Sequence, residues 1–179
     1  MIYNVAGLLM DSEGSTRSYE IDGEELLTDR HRFRGIKGTV NMLRTDRTIL
    51  VSVRVSASTA DSCSRCLEPA RLEVIADLAE EFQPVNFDLM GERAAPVEPD
   101  FDEALVIDER NILDLSRALG EALSGCVPIA PLCKPDCKGI CFTCFADRNR
   151  NTCTCDENPT DIRWKKLAEL IPDSSNSEH

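Results

Sequence analysis

Apolar side chains recur at every second position from Thr48 to Ala57, where Ile49, Val51, Val53, Val55 and Ala57 lie on one side and Ser52, Arg54 and Ser56 on the other. Period two over that length predicts a half-buried strand. The run before it, "RFRGIKGTVNML", alternates as well but changes phase around Gly35, which a glycine bulge explains. The run after it, "ARLEVIADLAEEF", gives a third strand through Ala70, Leu72, Val74, Ala76 and Leu78. These three fit an antiparallel meander: Asp46 and Arg47 turn the first pair, and the second connection contains "CSRCLEP". The opening "MIYNVAGLLMDSEG" reads as an ordinary first strand.

Past the meander the pattern changes. Residues 84–104 hold Pro84, Pro96 and Pro99 among many acids with little periodicity, and read as an acidic loop. In "NILDLSRALGEALSG", Ile112, Leu115, Leu119 and Ala122 share one helical face, with Asn111 and Asp114 resembling an N-terminal cap and Gly125 suiting the end. "VPIAPL" then runs extended into a cysteine-rich segment. A short last helix is expected over 161–171, able to seat Trp164, Leu167 and Ile171 before Pro172 stops it, and the composition of the tail 173–179 reads as disordered. The fold class expected is α+β: a small, curled antiparallel sheet with a helix packed across it and a C-terminal zinc-binding segment. Residues 1–132 form the body, with its acidic loop at 84–104, and 133–172 the cysteine-rich segment and last helix.

The 179 residues suffice for one core plus a small appendage. The first residues lack the basic start of a secretory signal, and no apolar run approaches the about twenty residues needed to span a bilayer. The expectation is a cytoplasmic protein without membrane contact, in a reducing setting where disulfides are rare. Against 20 Lys and Arg stand 32 Asp and Glu, for a net charge of −12. The distribution is uneven: Arg30, Arg32, Arg34, Lys37, Arg44, Arg47 and Arg54 face only Asp46 in their stretch, whereas 68–110 is strongly acidic. Such runs commonly serve as solvated faces.

The nine cysteines sort by spacing: Cys63-x2-Cys66 upstream, then Cys133-x3-Cys137-x3-Cys141-x2-Cys144-x8-Cys153-x-Cys155, with Cys126 apart. Zinc takes four ligands in a tetrahedron, and paired cysteines on tight turns supply two vertices each, so eight paired thiols make two sites. The order C-x2-C-x2-C-x3-C-P of a ferredoxin cluster is missing. A thioredoxin-like dithiol opens a helix, whereas Cys63 and Cys66 sit between strands. Nucleophilic catalysis by cysteine needs a base, and only His31 and His179 exist. Cys126 reads as a small buried side chain at a helix end. Joining Cys141 and Cys144 to Cys153 and Cys155 leaves Cys63 and Cys66 to meet Cys133 and Cys137. The rival grouping puts Cys133, Cys137, Cys141 and Cys144 together.

"CSRCLEP" between strands, "DLSRALGEALSGCVPIAPLCKPDCKGIC" and "GSTRSYEI" near the start are similar to the YceD-like family, the large ribosomal RNA subunit accumulation proteins of bacteria and plastids. The family usually carries proline and glycine in a CPxCG run, where this chain has Phe142 and Phe145. Some relatives keep only the upstream C-x-R-C pair, which places the shared chemistry at Cys63 and Cys66, here with Arg65 between them. The resemblance implies a part in accumulating 23S ribosomal RNA and assembling the large subunit, and with no catalytic constellation in the sequence to support an enzyme, a non-enzymatic factor is expected. The partner is then 23S ribosomal RNA or its precursor, met by the basic stretch from Arg30 to Arg54, or a basic large-subunit ribosomal protein, met by the acidic one. The overall charge and the lone aromatic Phe33 in the basic stretch weigh against RNA. The competing reading is a thiol-based redox or RNA-processing enzyme built on the Cys63/Cys66 pair.

Overall fold

The computed structural model describes residues 1–85, 102–155 and 162–164. In chain order its elements are β1 (Ile2–Asn4), α1 (Ala6–Met10), β2 (Thr16–Leu27), β3 (Arg32–Arg44), β4 (Ile49–Ser62), β5 (Pro69–Pro84), β6 (Val106–Ile107), β7 (Ile112–Asp114) and α2 (Ser116–Gly125). The result is mostly strand with few helices, an α+β-like arrangement around a small sheet.

Strand β4 is the centre of that sheet and follows its sequence pattern: Ile49, Val51, Val53, Val55 and Ala57 are buried, and Arg54 and Ser56 are exposed. It pairs antiparallel with β5 in continuous register and with β3 from Lys37 to Arg44, Thr39 opposite Arg54 and Arg54 opposite Asp77. Thr45 closes the β3–β4 turn: its hydroxyl accepts from the Thr48 amide at 3.1 Å, and its own amide donates to the Thr48 carbonyl at 3.0 Å. The phase change in β3 is real. Phe33 and Ile36 are both buried although three positions apart, because the register slips between Arg34 and Lys37, with Gly35 at φ 58°. Gly38 is fixed by proximity instead: a Cβ there would lie 2.0 Å from the Arg54 carbonyl oxygen and force β3 away from β4.

The antiparallel meander has four strands rather than three, in the order β2-β3-β4-β5, and β6 adds in parallel to the end of β5. Strand β2 escapes a periodicity reading because it lies at the sheet edge. Only Ile21 of its residues is buried, and two register shifts between Asp22 and Leu26 break what alternation remains. The opening is likewise only briefly a strand. Leu8 and Leu9 are adjacent and both buried, which a helical turn permits and a strand facing one core does not, so β1 gives way to α1.

The helix read from Asn111 begins five residues later. Ile112–Asp114 pairs with Ile2–Asn4 as strand β7, and Asn111 sits at φ 58°, outside the helix. Asp114 still serves the helix start, its Oδ1 accepting from the Ser116 amide at 2.9 Å. Leu119 and Leu123 of α2 are fully buried in one cluster with Leu8, Phe33, Met42, Val53 and Leu113. Burial of this kind contributes about 1.5–3 kcal/mol per leucine.

Three expectations are corrected at the C-terminal side. Cys126 is exposed, because it caps α2 on the side turned away from the core. "VPIAPL" bends at Val127, Ile129 and Ala130 rather than running straight and extended, and Ile129 is fully exposed. Trp164 lies in a single 3-10 turn, Ile162–Trp164, and is 59% exposed, so it does not seat against the body. Leu167, Ile171, the tail and most of the acidic loop lie outside the described residues. No helix among the described residues is long and apolar enough to cross a membrane.

Candidate metal centre

Two C-x2-C turns, far apart in sequence, have the same backbone. In the β4–β5 connection, the Cys63 amide donates to Glu68 O at 2.8 Å and the Leu67 amide returns to Cys63 O at 2.9 Å. In the second, the Cys141 amide donates to Ala146 O at 2.9 Å and the Phe145 amide returns to Cys141 O at 3.0 Å. Each turn closes through a left-handed residue in the same place, Leu67 at φ 63° and Phe145 at φ 58°. An L side chain in that conformation costs roughly 1–2 kcal/mol. In return, both thiols of the turn point to one side.

Each turn meets a second pair of thiols. The sulfurs of Cys63, Cys66, Cys133 and Cys137 all lie within 4.8 Å of one another, as do those of Cys141, Cys144, Cys153 and Cys155. In the first quartet, Cys66 Sγ is 3.5 Å from Cys133 Sγ, and Cys63 Sγ is 3.8 Å from Cys137 Sγ. A disulfide needs about 2.05 Å, whereas four sulfurs at about 2.3 Å from a central metal stand about 3.8 Å apart along each tetrahedral edge. The donor set and its spacing therefore fit a metal ion held by four thiolates. Pairs 63/66 with 133/137, and 141/144 with 153/155, are brought together; the rival grouping is not.

The first quartet is held from several directions. The Ser64 amide donates to Pro131 O at 2.8 Å and the Ile140 amide to Arg65 O at 3.1 Å, tying the β4–β5 turn to both flanks of Cys133 and Cys137. Arg65 Nη1 donates to the Cys137 carbonyl at 2.8 Å. Gly139, at φ 73°, lets the two chains meet, since a Cβ there would stand 3.0 Å from Arg65 O. Ala70 is buried with Cys63, Cys66 and Cys137, and Leu72, Leu132 and Ile140 pack around them.

Spacing alone did not point to Asn149, a residue of the turn between Cys144 and Cys153. Its Nδ2 donates to Cys137 Sγ at 3.5 Å and to Asp147 Oδ1 at 2.7 Å, and its Oδ1 accepts from the Lys138 amide at 2.9 Å. The hairpin of the second quartet thus supports a sulfur of the first. Arg150 reinforces the join, 3.5 Å from Glu68 Oε1.

The electrostatics of both quartets follow from crowding. Burial pushes the Cys63 thiol up, but amides of Cys133, Arg65 and Cys66 aimed at the sulfur outweigh it and bring it down to about 6. The amides of Cys144 and Thr143 bring Cys141 down to about 6. At the other extreme, the neighbouring Cys66 sulfur and burial push Cys133 up to about 12, and Cys144 and burial push Cys155 up to about 12. Burial also pushes Cys137 up, but the Gly139 amide and Asn149 outweigh it and lower this thiol as well. Each quartet therefore has at least one thiol that gives up its proton readily and one that keeps it because thiolates already stand beside it. A divalent cation removes that conflict.

The seven basic candidates separate. Arg44 is buried, its Nη1 donating to the carbonyls of Leu9 and Asp11, so it braces α1 and presents no charge outward. Three others face carboxylates: Arg54 with Asp77 at 2.6 Å, Lys37 with Asp22 at 3.0 Å and Arg34 with Glu25 at 3.7 Å. Arg47 meets its neighbour Asp46 at 3.7 Å. Arg30 and Arg32 are exposed at the β2–β3 turn. His31 sits 3.6 Å from Asp61 Oδ2, facing a carboxylate rather than a thiol.

A family model described as large ribosomal RNA subunit accumulation protein YceD matches residues 51–171, which takes in both quartets. Uncharacterised proteins of Mycobacterium bovis and of two strains of Mycobacterium tuberculosis are 32% identical to this chain over 130 residues, covering 72% of it. The matched stretch is 58% of the length of those relatives. No solved structure matches the chain.

Proposed function

Because the chain belongs to the family of large ribosomal RNA subunit accumulation proteins, we propose that it is a cytoplasmic, non-enzymatic factor that promotes 23S ribosomal RNA accumulation and large-subunit assembly. Two zinc ions stabilise it, and the body, 1–132, and the cysteine-rich segment, 133–172, act as one adaptor. The observation that carries the reading is the commitment of the buried Cys63 and Cys66 to one quartet with Cys133 and Cys137. A redox dithiol needs one accessible sulfur to attack a substrate. Here Cys63 is fully buried and Cys66 is 7% exposed, which favours an architectural role for the family's C-x-R-C pair. Four thiolates in a closed tetrahedral set suit structural zinc, which contributes directly to folding.

The adaptor meets 23S ribosomal RNA or its precursor, or a basic large-subunit ribosomal protein. Capture from gently lysed cells, followed by sequencing of the RNA and identification of the proteins retained, tests the reading. Enrichment of 23S precursor or large-subunit proteins over a control is expected; enrichment of neither abandons the assignment. Elemental analysis of protein purified without chelator should find close to two zinc ions per chain, and iron or no metal would overturn the zinc assignment.

A further inference from the structure

The sheet register resolves the outward face of β2–β5 into rows of side chains. Ser18, Asn41, Ser52 and Ala79 form a neutral row, and Glu20, Thr39, Arg54 and Asp77 the next. Asp22, Lys37, Ser56 and Ile75 follow. Then comes Arg34 with Ser58 and Glu73, and with Glu25 ion-paired to Arg34. In each row with a cation at least one carboxylate answers it. The final row differs. Leu27 pairs with Arg32, and Ala60 pairs with Arg71. Thr59 Oγ1 donates to Arg32 O at 3.1 Å, so this end of β3 lies alongside Ala60 two residues past the Arg34–Ser58 pair.

This row has two arginines and no carboxylate, and no ion pair among the described residues engages Arg32 or Arg71. Arg30 stands beside it in the β2–β3 turn. Of the nearby acids, Glu25 is taken by Arg34, Asp61 faces His31, Asp29 shares the turn with Arg30, and Glu73 stands one row over on β5 without an ion pair to Arg71 among the described residues. Between the arginines the floor is Ala60, a single methyl, so an anionic backbone can lie across the strand with a guanidinium on either side. Strand spacing of about 4.8 Å puts the roots of Arg32 and Arg71 about 10 Å apart, within reach of successive phosphates for side chains of that length. The β4–β5 turn that begins at Cys63 holds this end of the sheet to the first quartet.

We infer that the phosphate backbone of ribosomal RNA docks across this last row, held by Arg32 and Arg71 with Arg30 at its margin. The inference rests on the ribosomal reading and narrows it. Arg71 joins the contact set, and Arg34, Lys37, Arg44 and Arg54 leave it because their charges are already met or buried. Each phosphate neutralised releases condensed counterions, so the contacts can be counted from the salt dependence of binding.

The test measures binding of a labelled 23S ribosomal RNA transcript to the full chain across a salt series, with zinc content and far-ultraviolet circular dichroism checking each variant's fold. Replacing Arg32 and Arg71 together by Gln should lower the slope of log affinity against log salt by about 1.5, so that wild type loses about eightfold more affinity than the variant between about 50 and 200 mM salt. Arg54→Gln, which removes a charge already answered by Asp77, should leave the slope nearly unchanged. The inference is overturned if the double variant keeps the wild-type slope, if Arg54→Gln lowers it as much, or if the wild-type chain does not bind the transcript. It is also overturned if the double variant sheds a co-purifying protein and no RNA. The ribosomal reading survives all four outcomes as long as the capture experiment enriches large-subunit components.

Discussion

The two quartets are built on the same turn, yet the fold treats them differently. The first draws its thiols from two distant stretches, the β4–β5 turn and Cys133 and Cys137, and buries three of them, Cys63, Cys66 and Cys137, against Ala70, Leu72, Leu132 and Ile140, with Cys133 exposed. The second is local, its four cysteines falling within fifteen residues, with Cys144 exposed and Cys153 and Cys155 half-buried. A metal ion in the first site closes a loop of about seventy residues and joins the sheet to the cysteine-rich segment. An ion in the second shapes one hairpin. Identical ligands can therefore serve two purposes, and which one a site serves is set by what lies between the ligands in the chain.

The comparison breaks most visibly at Cys63. Cys63→Ser should abolish cooperative folding of the cysteine-rich segment onto the sheet and lower metal content from two ions to one or none, read by elemental analysis and thermal melting. A variant that melts like wild type with two ions bound would remove the upstream pair from the ligand set.

Cys144→Ser should cost less. One ion should be lost while the body keeps its melting transition within about 4 °C, because no core residue of the sheet depends on that hairpin. Some coupling is expected through Asn149, whose amide supports Cys137 Sγ. A collapse of the body equal to that of Cys63→Ser would mean that the two sites fold as one cluster.

The first quartet's partners were harder to read from sequence than the second's, and the reason is physical. Spacing reports on local turns, so Cys141, Cys144, Cys153 and Cys155 could be grouped from the hairpin between them, while the meeting of Cys63 with Cys137 depends on tertiary closure. The central strands were legible because one face is buried, which fixes the period at two. Strand β2 was not, since an edge with Ile21 as its one buried residue has little hydrophobic pattern to show. The apparent helix start at Asn111 failed for a related reason: Ile112 and Leu115 satisfy a helical face, but β1 supplies a pairing partner that local sequence cannot announce. Charge was the least faithful guide, because cross-strand carboxylates answer Arg34, Lys37 and Arg54 and the core takes Arg44.

Kinetics should separate the sites next. Under a chelator that reports released zinc, two phases are expected, with the ion at Cys141, Cys144, Cys153 and Cys155 leaving first. A tenfold ratio corresponds to a barrier difference of about 1.4 kcal/mol, and the first quartet buries three of its thiols where the second buries only Cys141. Cys144→Ser should remove the fast phase and leave the slow one. A single phase that persists in that variant would show that exposure does not order the release.

The finest difference concerns the left-handed residue that closes each turn. Phe145 at φ 58° is 74% exposed, so its ring gains little from packing while its backbone pays the strain of an L residue there. Glycine at that position relieves roughly 1–2 kcal/mol of strain and loses about 0.4–1 kcal/mol to the greater freedom of the unfolded chain. A net gain of about 0.5–1 kcal/mol remains, so Phe145→Gly should slow the fast phase of metal release about threefold. Leu67 has the same conformation at φ 63°, and it is 68% exposed. Because the β4–β5 turn holds its quartet jointly with the distant Cys133 and Cys137, relief of strain at Leu67 should instead raise the melting temperature. If Phe145→Gly speeds the fast phase, the Phe145 ring shields the second ion, and the second quartet is less open than its thiol exposure indicates.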